Sequence, residues 1–317
     1  MSKMLVLDRQ TCGEREESQA GHGAQPDTRS QYRNVILCED ALSALSKLPA
    51  SIVDVVVTSP PYYGQRDYEH PNQLGSEKTP EEYISKLFAI FSECHRVMTD
   101  AATLWLNLGD KYQDGRLLGL PWRVALGLQE RGWILRSDII WYKPNAMPSS
   151  VKNRLTTDHE YMFMLAKSMD YYFDGDAIRE PHVTFSEKSR MMGGRNHFGK
   201  RGGTPEQGKN GGNPNLHNAR WDQAFHPKGR NKRTVWEIPL SKFPEAHFAV
   251  YPEKLVEPCV LAGSQTKGLV LDPFLGSGTT ALVALRLGRD FLGIDCNEDY
   301  CAIARRRIAQ AQPSFLF

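Results

Sequence analysis

The chain has 317 residues, of which 40% are hydrophobic and 24% are charged, and its formal net charge is +2. This is an ordinary globular composition, large enough for one large or two modest domains. No stretch is long and apolar enough to cross a bilayer, and residues 1–9 lack the apolar core of a signal peptide. The six cysteines contain no Cys-x-x-Cys pair and no cluster has metal-ligand spacing, so we expect a cytoplasmic protein with reduced thiols and no metal.

The positive charge is concentrated in residues 181–235. This segment has 11 Lys and Arg against three acidic residues, a net charge of +8, so the rest of the chain carries −6. It also contains paired glycines and several asparagines, which predict a mobile insert that orders when it meets phosphates. A solvated loop or linker is the alternative.

The other predicted elements follow in chain order. Residues 1–30 are polar and aperiodic, and we expect a disordered leader. Strands are predicted over Val35–Cys38, Val53–Thr58, Thr103–Asn107, Trp133–Tyr142, Tyr161–Ala166, Gly268–Leu271 and Phe291–Ile294. Helices are predicted over Ala41–Leu48, Thr79–Met98, Leu120–Arg131, Glu253–Leu261, Thr279–Leu287 and Asp299–Gln310. This alternation predicts an α/β fold with a mostly parallel sheet and helices on both faces.

A turn with two prolines follows the second strand: Thr58-Ser59-Pro60-Pro61-Tyr62. The prolines fix the backbone and remove two N–H donors, so we expect carbonyls to point outward as unpaired acceptors beside the Ser59 hydroxyl and the Tyr62 ring. Such a turn suits a flat amine that needs acceptors and a stacking face. A rigid loop without function is the alternative.

A glycine turn, Leu271-Asp272-Pro273-Phe274-Leu275-Gly276-Ser277-Gly278-Thr279-Thr280, joins a strand to a helix near the end of the chain. Its two glycines let the backbone pass close under a ligand, and Thr279 and Thr280 are expected to cap the helix. The next strand ends at Asp295, which is placed to hold ribose hydroxyls or, alternatively, to cap the helix that follows.

In this order, the two motifs resemble the amino-methylating DNA methyltransferases that use S-adenosylmethionine, in the permuted arrangement (the beta group) whose catalytic segment precedes the cofactor segment. The resemblance covers residues 33–310. Further matching segments are Ile36–Ala41, Trp105–Asp110, Ile139–Pro144 and His247–Leu255. The resemblance implies a Rossmann-like fold of circularly permuted motif order, in which the segments from Trp133 and Tyr161 form an antiparallel hairpin.

The resemblance also implies site residues. Catalysis would use Ser59, Pro60, Pro61 and Tyr62: the Ser59 side chain and the Pro60 carbonyl accept the amine hydrogens, and Tyr62 stacks on a base rotated out of the duplex. The cofactor would contact Asp272, Phe274, Gly276, Gly278, Asp295 and Asp40. For Asp40, a helix N-cap is an equal alternative, and Asn107 and Asp110 would border the same crevice or only form a turn.

The basic segment matches the position of the family's target-recognition region. Candidate DNA-binding residues are Arg190, Arg195, Lys200, Arg201, Arg230, Lys232 and Arg233. The implied organisation is a leader (1–30), a catalytic half (31–180), the target-recognition insert (181–235) and a cofactor-binding half (236–312). Duplex DNA is the expected partner, with a cognate restriction endonuclease as a candidate second partner.

The choice of base follows the first residue of the catalytic motif. In this family Ser is typical of cytosine-N4 methylation, whereas Asp or Asn is typical of adenine-N6 methylation, so Ser59 favours cytosine. Adenine is the alternative, because both amines present the same two donors. Methylation at cytosine carbon 5 would need a nucleophilic cysteine, and Cys259, in an apolar helical segment, is expected to be a packed thiol instead.

Three other functions fit the sequence less well. A dehydrogenase would share the glycine turn, but it has no use for the Ser-Pro-Pro-Tyr turn. A catalytically silent DNA-binding protein is disfavoured by the intact motifs. RNA or a protein glutamine are conceivable acceptors for related motifs, and the long basic insert favours duplex DNA.

Overall fold

The computed structural model describes residues 29–65, 73–181, 228–240 and 251–311. Nearly all of the predicted leader and most of the basic insert therefore lie outside the described residues. The chain divides into two compact units, one of Met1–Phe173 with Thr234–Phe317 and one of Asp174–Arg233. No helix within the described ranges is both long and apolar enough to span a membrane.

The first unit contains an eight-stranded sheet. Its strands are β1 (Val35–Cys38), β2 (Val53–Thr58), β3 (Met98–Leu108), β6 (Ile134–Tyr142), β7 (His159–Ala166), β8 (Val235–Glu237), β9 (Leu269–Asp272) and β10 (Asp290–Asp295), and β4 (Tyr112–Gln113) and β5 (Arg116–Leu117) form a separate pair. Their spatial order is β1-β10-β9-β2-β3-β7-β6-β8. Every neighbouring pair is parallel except the two made by β7.

In the described parts of the chain, six α-helices accompany this sheet. They are α1 (Ala41–Ser46), α2 (Pro80–Val97), α3 (Leu120–Gln129), α4 (Glu253–Gly263), α5 (Thr279–Arg286) and α6 (Glu298–Ala311). The longest, α2, begins where the Thr79 side chain accepts a hydrogen bond from the Glu82 amide, with Pro80 at its first position. Its apolar face is buried, as the helical spacing of Tyr83, Leu87 and Phe91 predicts.

The predicted α/β fold with a mostly parallel sheet is confirmed, and every predicted strand and helix is present. The segments from Trp133 and Tyr161 form the expected antiparallel hairpin, β6–β7. Three features of the strands were not predicted: β3 begins at Met98, directly after α2, β4 and β5 form a separate short pair, and β8 forms a short edge strand. Strand β8 has three residues, and only the central one, Trp236, is buried. A strand this short has no alternation of apolar and polar residues long enough to predict it from the sequence.

The sheet order brings the two sequence motifs together. Strand β2, which leads into the Ser59–Tyr62 turn, lies beside β9, which leads into the glycine turn, with Val56 opposite Leu271. At the ends of these strands the Thr58 hydroxyl donates a buried 2.6 Å hydrogen bond to Asp272. Because the strands are parallel, both turns emerge at the same edge of the sheet, where open α/β sheets bind ligands.

Candidate active site

A cavity of about 930 Å³ opens at this edge of the sheet. Residues of both motifs line it, from the catalytic turn (Ser59–Tyr62) and from the glycine turn (Pro273–Ser277). Asp40 and Asp295, at the ends of β1 and β10, line it as well. The structure therefore places two motifs more than 200 residues apart in the chain around one cavity.

Hydrogen bonds fix the catalytic turn. The Ser59 hydroxyl donates to the Tyr62 oxygen at 3.3 Å, and the Pro61 carbonyl accepts from the Tyr83 hydroxyl at 2.9 Å. The expectation that both proline carbonyls are unpaired is therefore wrong for Pro61, because the buried phenol of α2 satisfies it. Within the described residues no donor reaches the Pro60 carbonyl.

Tyr62 lies among polar side chains that sequence reasoning did not assemble. Its hydroxyl donates to Glu160 at 2.6 Å and lies 3.2 Å from the Asn107 amide oxygen. Burial, followed by the charge of Glu160, raises the pKa of the Tyr62 phenol well above its ordinary value, so it stays neutral. On one side its ring touches Gly109, where an added Cβ would lie 2.7 Å from the Tyr62 Cε2 atom.

Glu160 is the most important residue that sequence reasoning missed. It is the second residue of β7, its side chain is 15% exposed, and Lys143 at the end of β6 forms an ion pair with it. Both residues line the cavity. The available signal was charge beside an apolar strand: Glu160 directly precedes the run that begins at Tyr161, and Lys143 directly follows the run that ends at Tyr142.

Asp272 lies beneath the cavity as a buried hub and is not among the residues that line it. It accepts hydrogen bonds from the hydroxyls of Thr58 at 2.6 Å, Thr280 at 2.6 Å and Tyr251 at 3.1 Å, and from the Phe274 amide at 3.1 Å. Burial raises its pKa to about 6, against these hydrogen bonds. Tyr251, a further lining residue that sequence reasoning missed, thereby connects the cavity to the hub.

The expected caps of α5 were wrong. The N-cap is Gly278, with φ +87°, and it makes no side-chain cap, since the Thr280 hydroxyl is turned to Asp272 instead. An added Cβ at Gly278 would lie 2.9 Å from the Ala304 Cβ atom, so this glycine serves the packing of α5 on α6 and does not line the cavity. Gly276, with φ +54°, does line it, and an added Cβ there meets no heavy atom within 4 Å.

The two acidic residues at the strand ends differ in how they are held. Asp295 accepts from the Gly276 amide at 2.7 Å and from the Asn297 amide at 2.9 Å, which fixes it against the glycine turn. It is not the cap of α6, because Asn297 accepts from the amides of Asp299 and Tyr300. Asp40 does cap α1, accepting from the Ser43 amide at 3.0 Å, and it also lines the cavity beside Phe274.

The DNA-binding candidates fall in the second unit. Arg190, Arg195, Lys200 and Arg201 lie outside the described residues, whereas Arg230, Lys232 and Arg233 are described. Arg230 and Lys232 both pair with Glu180, at 3.2 Å and 3.3 Å. A strand bridge between Glu180 and Arg230 supports these pairs. The two cations are thus held side by side around one carboxylate.

The remaining candidates concern cysteine and metals. Cys259 is buried in α4 and its thiol donates to the Leu255 carbonyl at 3.2 Å, which makes it a packed helical residue as expected. In the parts of the chain that the structure describes, no group of three or more His, Cys, Asp or Glu side chains could hold a metal ion.

Comparison with known proteins gives concordant results. A DNA methylase family model, N6_N4_Mtase, matches residues 53–306. The type II methyltransferase M.Cfr9I of Citrobacter freundii is 40% identical over 85% of this chain and 85% of its own length. M.SmaI of Serratia marcescens is 38% identical over 86% of this chain and 90% of its own length.

Solved structures have the same fold. TTHA0409 of Thermus thermophilus, in complex with S-adenosyl-L-methionine, superposes with a TM-score of 0.56 at 25% identity, covering 88% of this chain and 94% of that one. The cytosine-N4-specific PvuII DNA methyltransferase, at 19% identity, superposes with a TM-score of 0.62 over 90% of this chain and 93% of its own. The Rossmann-like methyltransferase fold is therefore confirmed. The family match and the relatives together show that this chain belongs to the N6/N4 amino-methylating DNA methyltransferases.

Proposed function

We propose that the protein transfers a methyl group from S-adenosyl-L-methionine to the N4 amine of cytosine in duplex DNA. The observation that carries this proposal is the junction of two motifs at one cavity, with the Ser59–Tyr62 turn on one side and the glycine turn on the other. S-adenosyl-L-methionine is the methyl donor of this methyltransferase family, and it supplies an electrophilic methyl group on sulfur.

The catalytic turn meets the chemical need of an aromatic amine. The nitrogen lone pair of cytosine N4 is delocalised into the ring, so acceptors for its two N–H bonds are needed to direct it at the methyl group. Ser59 and the Pro60 carbonyl are proposed as these acceptors, with Pro61 shaping the turn and Tyr62 offering its ring to the base. Catalysis then depends mainly on positioning, and no covalent enzyme intermediate is required.

The cofactor site is proposed on the opposite wall. Gly276 leaves open space where a side chain would stand, Phe274 offers an apolar face, and Asp295 and Asp40 present carboxylates at neighbouring strand ends. These groups fit an amino acid joined to a nucleoside, because carboxylates accept from ribose hydroxyls and from an amine. Asp272 and Gly278 are proposed to act indirectly, by shaping the turn.

Cytosine is preferred over adenine because Ser59 begins the catalytic motif. We propose that the segment 181–235 recognises the target through its basic residues. In the chain, this segment separates a catalytic half (31–180) from a cofactor-binding half (236–312). The type II relatives make a cognate restriction endonuclease a reasonable partner to propose.

The test is to incubate the protein with methyl-labelled S-adenosyl-L-methionine and unmethylated genomic DNA, digest the DNA to nucleosides and identify the labelled nucleoside by mass spectrometry. We expect N4-methylcytosine. N6-methyladenine would overturn the assignment of the base, and an unlabelled DNA would overturn the assignment of the substrate.

A variant separates catalysis from binding. Tyr62→Ala removes the stacking ring, and we expect at least about a hundredfold loss of methyl transfer, given that stacking of a base contributes about 1–3 kcal/mol and alignment adds to it. DNA binding should change much less, because the basic segment is intact. Full methyl transfer by Tyr62→Ala would contradict the proposed role of Tyr62, and parallel loss of DNA binding would indicate a binding defect instead.

A further inference from the structure

A directed chain of hydrogen bonds joins the catalytic serine to a partly buried ion pair. The Ser59 hydroxyl lies 3.3 Å from the Tyr62 oxygen, and the Tyr62 hydroxyl lies 2.6 Å from Glu160 Oε2. Each of these hydroxyl groups has a single hydrogen to donate. The direction in which each hydrogen points therefore decides which oxygen is left as an acceptor for the substrate.

The surroundings of Tyr62 determine this direction. The Glu160 carboxylate pairs with Lys143 through Oε1 and, as a carboxylate, can only accept hydrogen bonds. The Asn107 amide group donates to Glu160 Oε2 and to the Tyr161 carbonyl, both at 3.1 Å, and this orientation presents its oxygen to Tyr62. Both neighbours of the phenol thus offer only acceptors, and Tyr62 must donate toward them.

The consequence passes along the chain to Ser59. Because the Tyr62 hydrogen is committed to Glu160, the Tyr62 oxygen is free to accept from the Ser59 hydroxyl. With its hydrogen used in this way, Ser59 presents only lone pairs to the cavity. An amine N–H meets an acceptor there, whereas a reversed serine hydroxyl would present a hydrogen and repel it.

We propose that Glu160 is a positioning residue, which acts through Tyr62 to fix Ser59 as a hydrogen-bond acceptor for the target amine, with Lys143 holding the Glu160 side chain in place through their ion pair. This rests on the proposed function, in which Ser59 accepts from that amine. Glu160 itself does not touch the reacting atoms in this proposal. Its contribution is indirect: through the intervening Tyr62 hydroxyl it orients the hydroxyl group of Ser59.

A double-mutant cycle with Glu160→Gln and Tyr62→Phe tests the proposal. Gln keeps the shape of Glu but brings an N–H₂ donor, which can reverse the direction of the chain, while Phe keeps the ring and removes the connecting hydroxyl. We expect Glu160→Gln to slow single-turnover methyl transfer about tenfold or more in the wild-type background and by less than about threefold in the Tyr62→Phe background. Equal losses in both backgrounds would overturn the proposal.

Two controls make the result specific. Glu81→Gln alters a carboxylate that also pairs with a cation, Arg123, but on the exposed surface of α2, and it should leave the rate unchanged. The Kd of S-adenosyl-L-methionine should be the same for the wild type and Glu160→Gln, since a loss of cofactor binding would indicate a general disturbance of the cavity and overturn the positioning role.

A second variant covers the case in which Glu160→Gln does not fold. Lys143→Gln removes the cation that holds Glu160, and its loss of rate should likewise disappear in the Tyr62→Phe background; persistence of the loss would overturn the proposal. The wild-type assay separates this inference from the proposed function. A wild type that methylates DNA with independent effects at Glu160 and Tyr62 refutes the positioning role alone, whereas a wild type that does not methylate DNA refutes the proposed function.

Discussion

A single carboxyl group, Asp272, joins the two motifs at their base. It binds Thr58 from the strand before the catalytic turn and Thr280 from the helix after the glycine turn. Burial raises its pKa from an ordinary 3.8 to about 6, so desolvation outweighs the four hydrogen bonds that favour the charged form. A charge at this position is thus costly, and folding stability should depend on whether the group is ionised.

The sign of this dependence follows from the raised pKa. Between about pH 4 and pH 6 the unfolded chain ionises Asp272 before the folded chain does, so the free energy of unfolding falls as the pH rises through this window. The fall should be about 3 kcal/mol, because each tenfold change in an acid dissociation constant corresponds to about 1.4 kcal/mol. Asp272→Asn has no charge to bury and should lack this component.

Urea denaturation of both proteins across this pH range measures the difference. The stability of the wild type relative to Asp272→Asn should fall by roughly 3 kcal/mol between pH 4 and pH 6. Asp100→Asn, at a side chain that is 87% exposed, is the control for the removal of a carboxylate elsewhere on the protein. A difference that does not vary with pH would contradict the raised pKa of Asp272.

At the scale of elements, the start of α5 offers a contrast between two glycines. Both Gly276 and Gly278 have positive φ, so alanine should cost each about 1–2 kcal/mol of backbone strain. At Gly278 the new methyl group would also press on Ala304 of α6, adding about 1–3 kcal/mol, whereas at Gly276 it would enter open cavity space. We therefore expect Gly278→Ala to lose more folding stability, and Gly276→Ala to lose more affinity for S-adenosyl-L-methionine.

Thermal denaturation and calorimetric titration with S-adenosyl-L-methionine distinguish these effects, each variant serving as the control for the other. Equal losses of stability and of affinity in both variants would contradict the expectation that Gly278 serves mainly packing and Gly276 mainly cofactor binding.

The elements also show what a sequence can predict. Strands β2 and β9 are mostly apolar, and both functional turns carry local residue patterns, so these strands and turns could be predicted from neighbouring residues alone. Glu160 and Tyr251 could not, because their roles depend on contacts with Tyr62 and Asp272, which are distant in the chain. The hydroxyls expected to cap α5 illustrate the same limit, because the Thr280 hydroxyl donates a hydrogen bond to Asp272 and does not cap the helix.

At the scale of the whole molecule, charge is distributed unevenly. The segment 181–235 carries +8 and the rest −6, so DNA affinity should decrease steeply with salt. The logarithm of the binding constant should change by about −0.9 per phosphate contact for each unit of log salt concentration. Neutralising the pair Lys200 and Arg201 to Gln should make this slope shallower by up to about 1.8.

Arg305 and Arg306 provide the matched control, as an adjacent basic pair exposed on α6, and their change to Gln should leave the slope unaltered. Fluorescence anisotropy with a duplex oligonucleotide at several salt concentrations measures both. Equal changes for the two pairs would contradict a localised basic binding surface.

The strand order also has a consequence for how the protein is made. Strands β10 and β9 lie between β1 and β2 in the sheet, although they are synthesised some 200 residues later. When only the first 250 residues have emerged from the ribosome, β1 lacks its neighbour β10, and β2 lacks its neighbour β9. The nascent chain must therefore keep these apolar strands from aggregating until β9 and β10 have been synthesised.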